Sequence, residues 1–84
     1  DGNQLISNTA TGNGGNGFGL WGATNNTLND NLAVENEFDG FTLGWSNSNT
    51  LTGNESVENS ASGFGLYLSD SNNLEGNQAD RNAN

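Results

Sequence analysis

Three segments of this chain are near-copies: GFGLWGA at Gly17–Ala23, GFTLGWS at Gly40–Ser46 and GFGLYLS at Gly63–Ser69, each beginning 23 residues after the last. Sliding the whole chain by that period aligns further columns without a gap. Phe18, Phe41 and Phe64 coincide, as do Leu20, Leu43 and Leu66, and Leu5, Leu28, Leu51 and Leu74. Asparagine fills three more columns: Asn3, Asn26, Asn49, Asn72; Asn8, Asn31, Asn54, Asn77; and Asn13, Asn36, Asn59, Asn82. A fixed period of this length marks one supersecondary unit repeated along an axis.

Composition alone would suggest disorder, since only 30% of the residues are hydrophobic and Gly and Asn are abundant. Disordered low-complexity sequence does not hold phase over four turns, so the repeat overrules that reading. Within a unit, apolar residues alternate, as in Phe18-x-Leu20, and stop at Asn, Gly and Ser clusters. Period-two alternation bounded by turn formers predicts short strands. One unit reads as a strand near Gly17–Ala23, a turn at Thr24–Asn26, a short strand around Leu28, a corner at Asp30–Asn31, a third strand at Leu32–Val34 and a return through Glu35–Asp39. The expected organisation is a single all-β domain, residues 1–84: a partial coil 1–16, then coils 17–39, 40–62 and 63–84.

Coils stacked at ~4.8 Å share their apolar residues in one interior, so a sparse sequence is enough. The second full coil supplies Phe41, Leu43, Leu51, Val57 and Trp45 as its inward candidates. An alternative stays open: the small column Ala10, Ala33, Ser56, Ala79 faces in, and Val34 and Val57 face out. The Asn columns have two structural explanations. Asn tolerates left-handed corners, and its amide can pair with the same amide one coil away.

The pattern N-T-L-x-x-N-x-A-x-x-N-x-x-G-F-x-L, clearest at Asn26–Leu43, resembles the repeat of right-handed parallel β-helix proteins of the pectin-lyase-like superfamily. The resemblance spans the chain and implies a β-solenoid without helical caps. It implies a function only broadly, because one coil design serves polysaccharide lyases, epimerases, adhesins and passive spacers.

Chemistry is constrained by what is missing. The chain has no His, no Cys and no Lys, and its one basic residue is Arg81. Lyases and epimerases of the superfamily need a basic side chain beside a uronate, so the expectation is no enzyme, the remnant of a polysaccharide-active one being a distant alternative. Arg81 shares a column with Glu58 and Glu35, which predicts a cross-coil ion pair. A glycosidase pair would need two acids facing one groove. Asp30 and Asp39 are the acids expected at solvated corners, but their columns continue as Gly53 and Ser62. No cofactor is expected. Glu35, Glu37, Asp39 and Glu58 form the only grouping of acids with a claim to Ca²⁺. Ice binding would need a propagated T-x-T array, and Thr9-Ala10-Thr11 gives way to Leu32-Ala33-Val34.

A net charge of −9 excludes nucleic acid and anionic membrane surfaces as partners, and no apolar run approaches a membrane span. Trp21 and Tyr67 fall in one outward column with Gly44 between them, a platform for a glycan or for a packing neighbour. The sequons at Asn25 and Asn54 would permit glycosylation on turns. The chain begins and stops in mid-coil, eight positions short of a fourth whole coil, the absent segment being equivalent to Asp39–Ser46. A non-catalytic structural solenoid of an extracellular or cell-surface fibre is the expected function. It would stack on copies of itself or on flanking coils of a longer chain. The alternative is a carbohydrate-binding or adhesin module, with extracellular polysaccharide as the partner.

Overall fold

The computed structural model describes all 84 residues, and every regular element in it is a strand of three or four residues. In chain order these are β1 (Gln4–Ile6), β2 (Thr9–Thr11), β3 (Phe18–Trp21), β4 (Thr27–Asn29), β5 (Leu32–Val34), β6 (Phe41–Gly44), β7 (Thr50–Thr52), β8 (Glu55–Val57), β9 (Phe64–Tyr67), β10 (Asn73–Glu75) and β11 (Gln78–Asp80). They form three parallel sheets, ordered β1-β4-β7-β10, β2-β5-β8-β11 and β3-β6-β9. Every pairing has the register of the repeat, Leu5 opposite Leu28, Ala33 opposite Ser56, and Phe41 opposite Phe64. The chain is a β-solenoid of about three coils, the fold expected from the period.

The interior is narrow. Leu20, Leu28, Ala33, Phe41, Leu43 and Leu51 are its buried apolar residues, with Leu5, Phe18, Ala23 and Phe64 packed against them. The Phe column forms a continuous stack. Ring centroids of Phe18 and Phe41, and of Phe41 and Phe64, are 4.9 Å apart and nearly parallel. Strand spacing dictates that distance, since paired strands place identical side chains one coil rise apart. Leu66 and Leu74 occupy core columns but are 41% and 39% exposed, because no coil covers them in the last turn.

Two open questions about side-chain direction are resolved. The small column faces inward: Ala33 and Ser56 are fully buried, while Val34 and Val57 are only partly so. Trp45 is not an interior residue, and lies 60% exposed at a corner. Inside, the sheet of β2, β5, β8 and β11 must come close to the Gly that precedes each Phe. A Cβ on Gly40 would lie 2.0 Å from Ser56 Oγ and 2.9 Å from Gly63 O, and one on Gly17 would lie 2.8 Å from the Ala33 Cβ. Larger side chains in either column would separate the sheets.

The corners follow one rule. A left-handed residue is followed by a residue whose N–H is accepted by a side-chain oxygen of the next coil. Asn25, Ser48 and Ser71 (φ 57, 59 and 58°) precede Asn26, Asn49 and Asn72. Asp30 precedes Asn31, and Glu35 and Glu58 precede Asn36 and Asn59, all with positive φ. The left-handed position is therefore the one before the Asn, and no column Asn has positive φ. The Asn side chain turns in, where Asn31, Asn36, Asn49, Asn54 and Asn59 are almost wholly buried.

Each buried Asn is satisfied in the same way. Asn54 Oδ1 accepts from the backbone N–H and the amide of Asn31, and Asn54 in turn donates both kinds of N–H to Asn77 Oδ1. Its remaining amide proton goes back to the Leu28 carbonyl at 2.9 Å. No buried side-chain polar atom lacks a partner. The columns Asn3 to Asn72, Asn8 to Asn77 and Asn13 to Asn82 repeat this scheme. Burial also closes the sequon at Asn54, whose amide has no access to solvent.

Candidate functional site

Side chains along β3, β6 and β9 alternate in and out, so Phe and Leu enter the core while the residue after Leu faces solvent. That outward column is Trp21, Gly44 and Tyr67, paired across the sheet. Trp21 lies over Gly44: a Cβ there would sit 2.1 Å from Trp21 Cζ3 and 2.2 Å from Cε3. The indole reaches Trp45, with ring centroids 5.9 Å apart at a 45° tilt. The adjoining column is Gly19, Thr42 and Gly65, of which Gly19 is exposed and the other two are covered. Positions Gly19 and Gly65 lie beside Trp21 Nε1 and Tyr67 Cε2, at 3.4 and 3.5 Å from where a Cβ would stand.

The residue after this outward column turns a corner. Gly22, Trp45 and Leu68 occupy equivalent left-handed positions with φ of 60, 48 and 47°. Glycine suits that conformation, and a bulky side chain there costs on the order of 1 kcal/mol. Together Trp21, Trp45, Leu66, Tyr67 and Leu68 line an open apolar hollow of about 560 Å³. A second hollow, about 340 Å³, is the uncovered interior at the first coil, bordered by Leu5, Leu20 and the amides of Asn3 and Asn26. Trp21 and Tyr67 are recognisable in the sequence as an outward pair, whereas nothing in the apolar pattern marks Trp45 and Leu68 as their neighbours. The signal was Gly22, which marks their column as an outward left-handed corner.

The acids are not brought together. Asp39 is buried, contrary to its expected place at a solvated corner. Its Oδ1 accepts the Ser62 N–H at 2.9 Å and its Oδ2 the Thr42 hydroxyl at 2.8 Å. Glu58 pairs with Arg81, whose Nε lies 2.7 Å from Glu58 Oε1, and Asp80 also contacts the guanidinium. The hydrogen bond to Glu58, and then the charge of Asp80, raise the Arg81 pKa above its ordinary value. Glu35 and Glu37 are exposed, and no three acids converge as metal ligands would. The set Glu35, Glu37, Asp39 and Glu58 therefore does not converge as a Ca²⁺ site would: Asp39 is buried on Ser62 and Thr42, and Glu58 is paired with Arg81.

Residues 1–84 match the model of a protein family described as "Periplasmic copper-binding protein (NosD)". The chain belongs to the NosD family. No curated protein and no solved structure gave a match. NosD membership agrees with a parallel stack of coils and raises the question of copper. Copper sites in proteins are built from imidazole, thiolate and thioether donors. This NosD-family chain has no His, Cys or Met, and its carboxylates do not converge. Its residues do not fit a copper ion.

Proposed function

We propose that the chain is a non-catalytic stretch of β-solenoid that works outside the cytoplasm, as a rigid element extended by further coils. Those coils belong to flanking stretches of the same polypeptide or to other copies of it, within a surface or extracellular fibre. The family's description as periplasmic supports a place beyond the cytoplasmic membrane. The copper in that description is not carried over to these residues. The wider kinship with pectin-lyase-like β-helices would make this a spacer form of a common scaffold.

The one-way direction of the Asn columns carries the reading. Each Oδ1 accepts from the preceding coil, as Asn26 accepts from Asn3 and Asn72 from Asn49. One end face therefore offers the Oδ1 acceptors of Asn3, Asn8 and Asn13. The other offers the backbone N–H groups of Asn72, Asn77 and Asn82. The two faces are complementary, and unpaired edges of this kind template further strands. Stacking in this sense is head to tail and does not close.

A tandem chain tests the reading. The eight residues DGFTLGWS, copied from Asp39–Ser46, would join Asn84 to a second copy in phase. Nearest-neighbour stabilisation of repeats requires one unfolding transition at a higher denaturant midpoint. Two independent transitions at the original midpoint would overturn the proposal. Negative-stain microscopy of the single chain then separates the two sources of coils: filaments of constant width indicate stacking copies, and discrete particles indicate coils of one polypeptide.

A further inference from the structure

We propose that Trp21, Trp45, Tyr67 and Leu68 form a binding surface for an uncharged, extended polysaccharide. Coils added beyond β9 would cover Leu66, an inward residue of the last turn, and would leave the outward Trp21, Trp45, Tyr67 and Leu68 on the flank of the solenoid. Trp21, Trp45, Tyr67 and Leu68 are 57, 60, 54 and 74% exposed. The fold itself does not call for them. Gly22 shows that the corner accepts glycine, yet Trp45 and Leu68 hold it with φ of 48 and 47°. Left-handed non-glycine corners recur throughout the coil, as at Asp30, Glu35 and Glu58, but Trp45 and Leu68 are the apolar side chains among them, placed where solvent reaches them.

The Trp21 ring is held before any ligand arrives. Trp21 rests in the space that Gly44 leaves and is buttressed by Trp45. Gly19, exposed beside the indole, leaves the sheet surface clear next to Trp21. Fixing aromatic faces in place reduces the ordering cost of binding. Trp21 and Tyr67 are two coils apart, about 9.6 Å along the axis, the span of a disaccharide in an extended chain. The apolar C–H faces of pyranose rings stack on such surfaces.

Size and charge select this occupant. Protein interfaces need about 20–30 residues a side, and here five apolar side chains stand in a surface of Asn, Ser, Thr and Glu. A polyanion is disfavoured by the net charge of −9 and by the absence of Lys.

The chain's two tryptophans both lie in the surface, so intrinsic fluorescence reads it directly. The probes are hexasaccharides of β-linked glucose, xylose and mannose, with an oligouronate as the charged counterpart. At least one neutral probe is expected to give a saturable change in emission, and the oligouronate none. Trp21→Ala and Tyr67→Ala should weaken the neutral probe about tenfold or more, a loss of about 1.4 kcal/mol or more. Trp45→Asn, which suits the left-handed corner, should do the same without loss of stability, so a folding failure is distinguishable. No saturable change with any neutral probe would overturn the proposal. So would binding that survives all three substitutions, or a dimer in light scattering that Trp21→Ala dissolves and the sugars leave intact.

Discussion

Asn31 gives its backbone N–H and its side-chain amide to the same atom, Asn54 Oδ1, at 2.9 and 3.0 Å. The identical residue one coil on is the acceptor, so each Asn is held by the coils on both sides. Replacing one removes partners from both.

Asn54→Ala is expected to cost about 3 kcal/mol, because it leaves the Asn31 backbone N–H and side-chain amide without their shared acceptor and takes the amide donor from the Leu28 carbonyl, all in a buried setting. Asn77→Ala, at the uncovered coil, should cost about 1 kcal/mol, since it has no coil beyond it. Urea midpoints of the two variants check the difference, and equal losses would contradict the role of burial.

Phe41 is stacked on both faces, by Phe18 and Phe64. Phe41→Ala should destabilise by about 4 kcal/mol and Phe18→Ala by markedly less, since Phe18 has one ring neighbour and is already half-buried. Thermal unfolding of both variants in one buffer is the measurement.

Two glycines should respond oppositely to alanine. Gly40→Ala drives a methyl group into Ser56 Oγ and the Gly63 carbonyl, and a loss of about 3 kcal/mol is expected as the sheets separate. Gly44→Ala meets only the far end of the Trp21 ring, which can swing into solvent. Its stability should change by less than about 1 kcal/mol, with a red shift in tryptophan emission as the diagnostic.

Leu68→Asn is expected to raise stability by about 0.5–1 kcal/mol, because Asn tolerates the left-handed corner and little packing is lost. A lower midpoint would mean that Leu68 packs more than its exposure implies.

Copper should neither bind nor stabilise. A Cu²⁺ titration followed by calorimetry is expected to show no saturable heat. The unfolding midpoint should not rise with the metal, as linkage would require of a ligand for the native state. A rise would contradict the misfit between copper and this donor set.

What could be read from the residues followed the period. Columns that repeat every 23 positions define which strands pair, so Phe41 had to lie between Phe18 and Phe64 once strands were recognised. Inward or outward direction at the short strands was harder. β5 and β8 have three residues each, and Leu32-Ala33-Val34 offers an apolar residue on either face. Close approach of the Gly17, Gly40 and Gly63 column decides it, a contact between segments distant along the chain. Hydrophobicity alone puts Trp45 inside, whereas its column partner Gly22 carries the local backbone requirement of an outward corner. Charge alone puts Asp39 in solvent; its partners, Thr42 and Ser62, are recognisable only once the coil is closed.

The Asn columns also fix how such a molecule can change its length. Every column runs through every coil, so a one-residue insertion inside a coil would shift three amide registers at once. A whole added coil disturbs none of them. The molecule therefore behaves as a ruler graduated in steps of ~4.8 Å, and the genetic change that lengthens it with least disruption is duplication of a whole repeat.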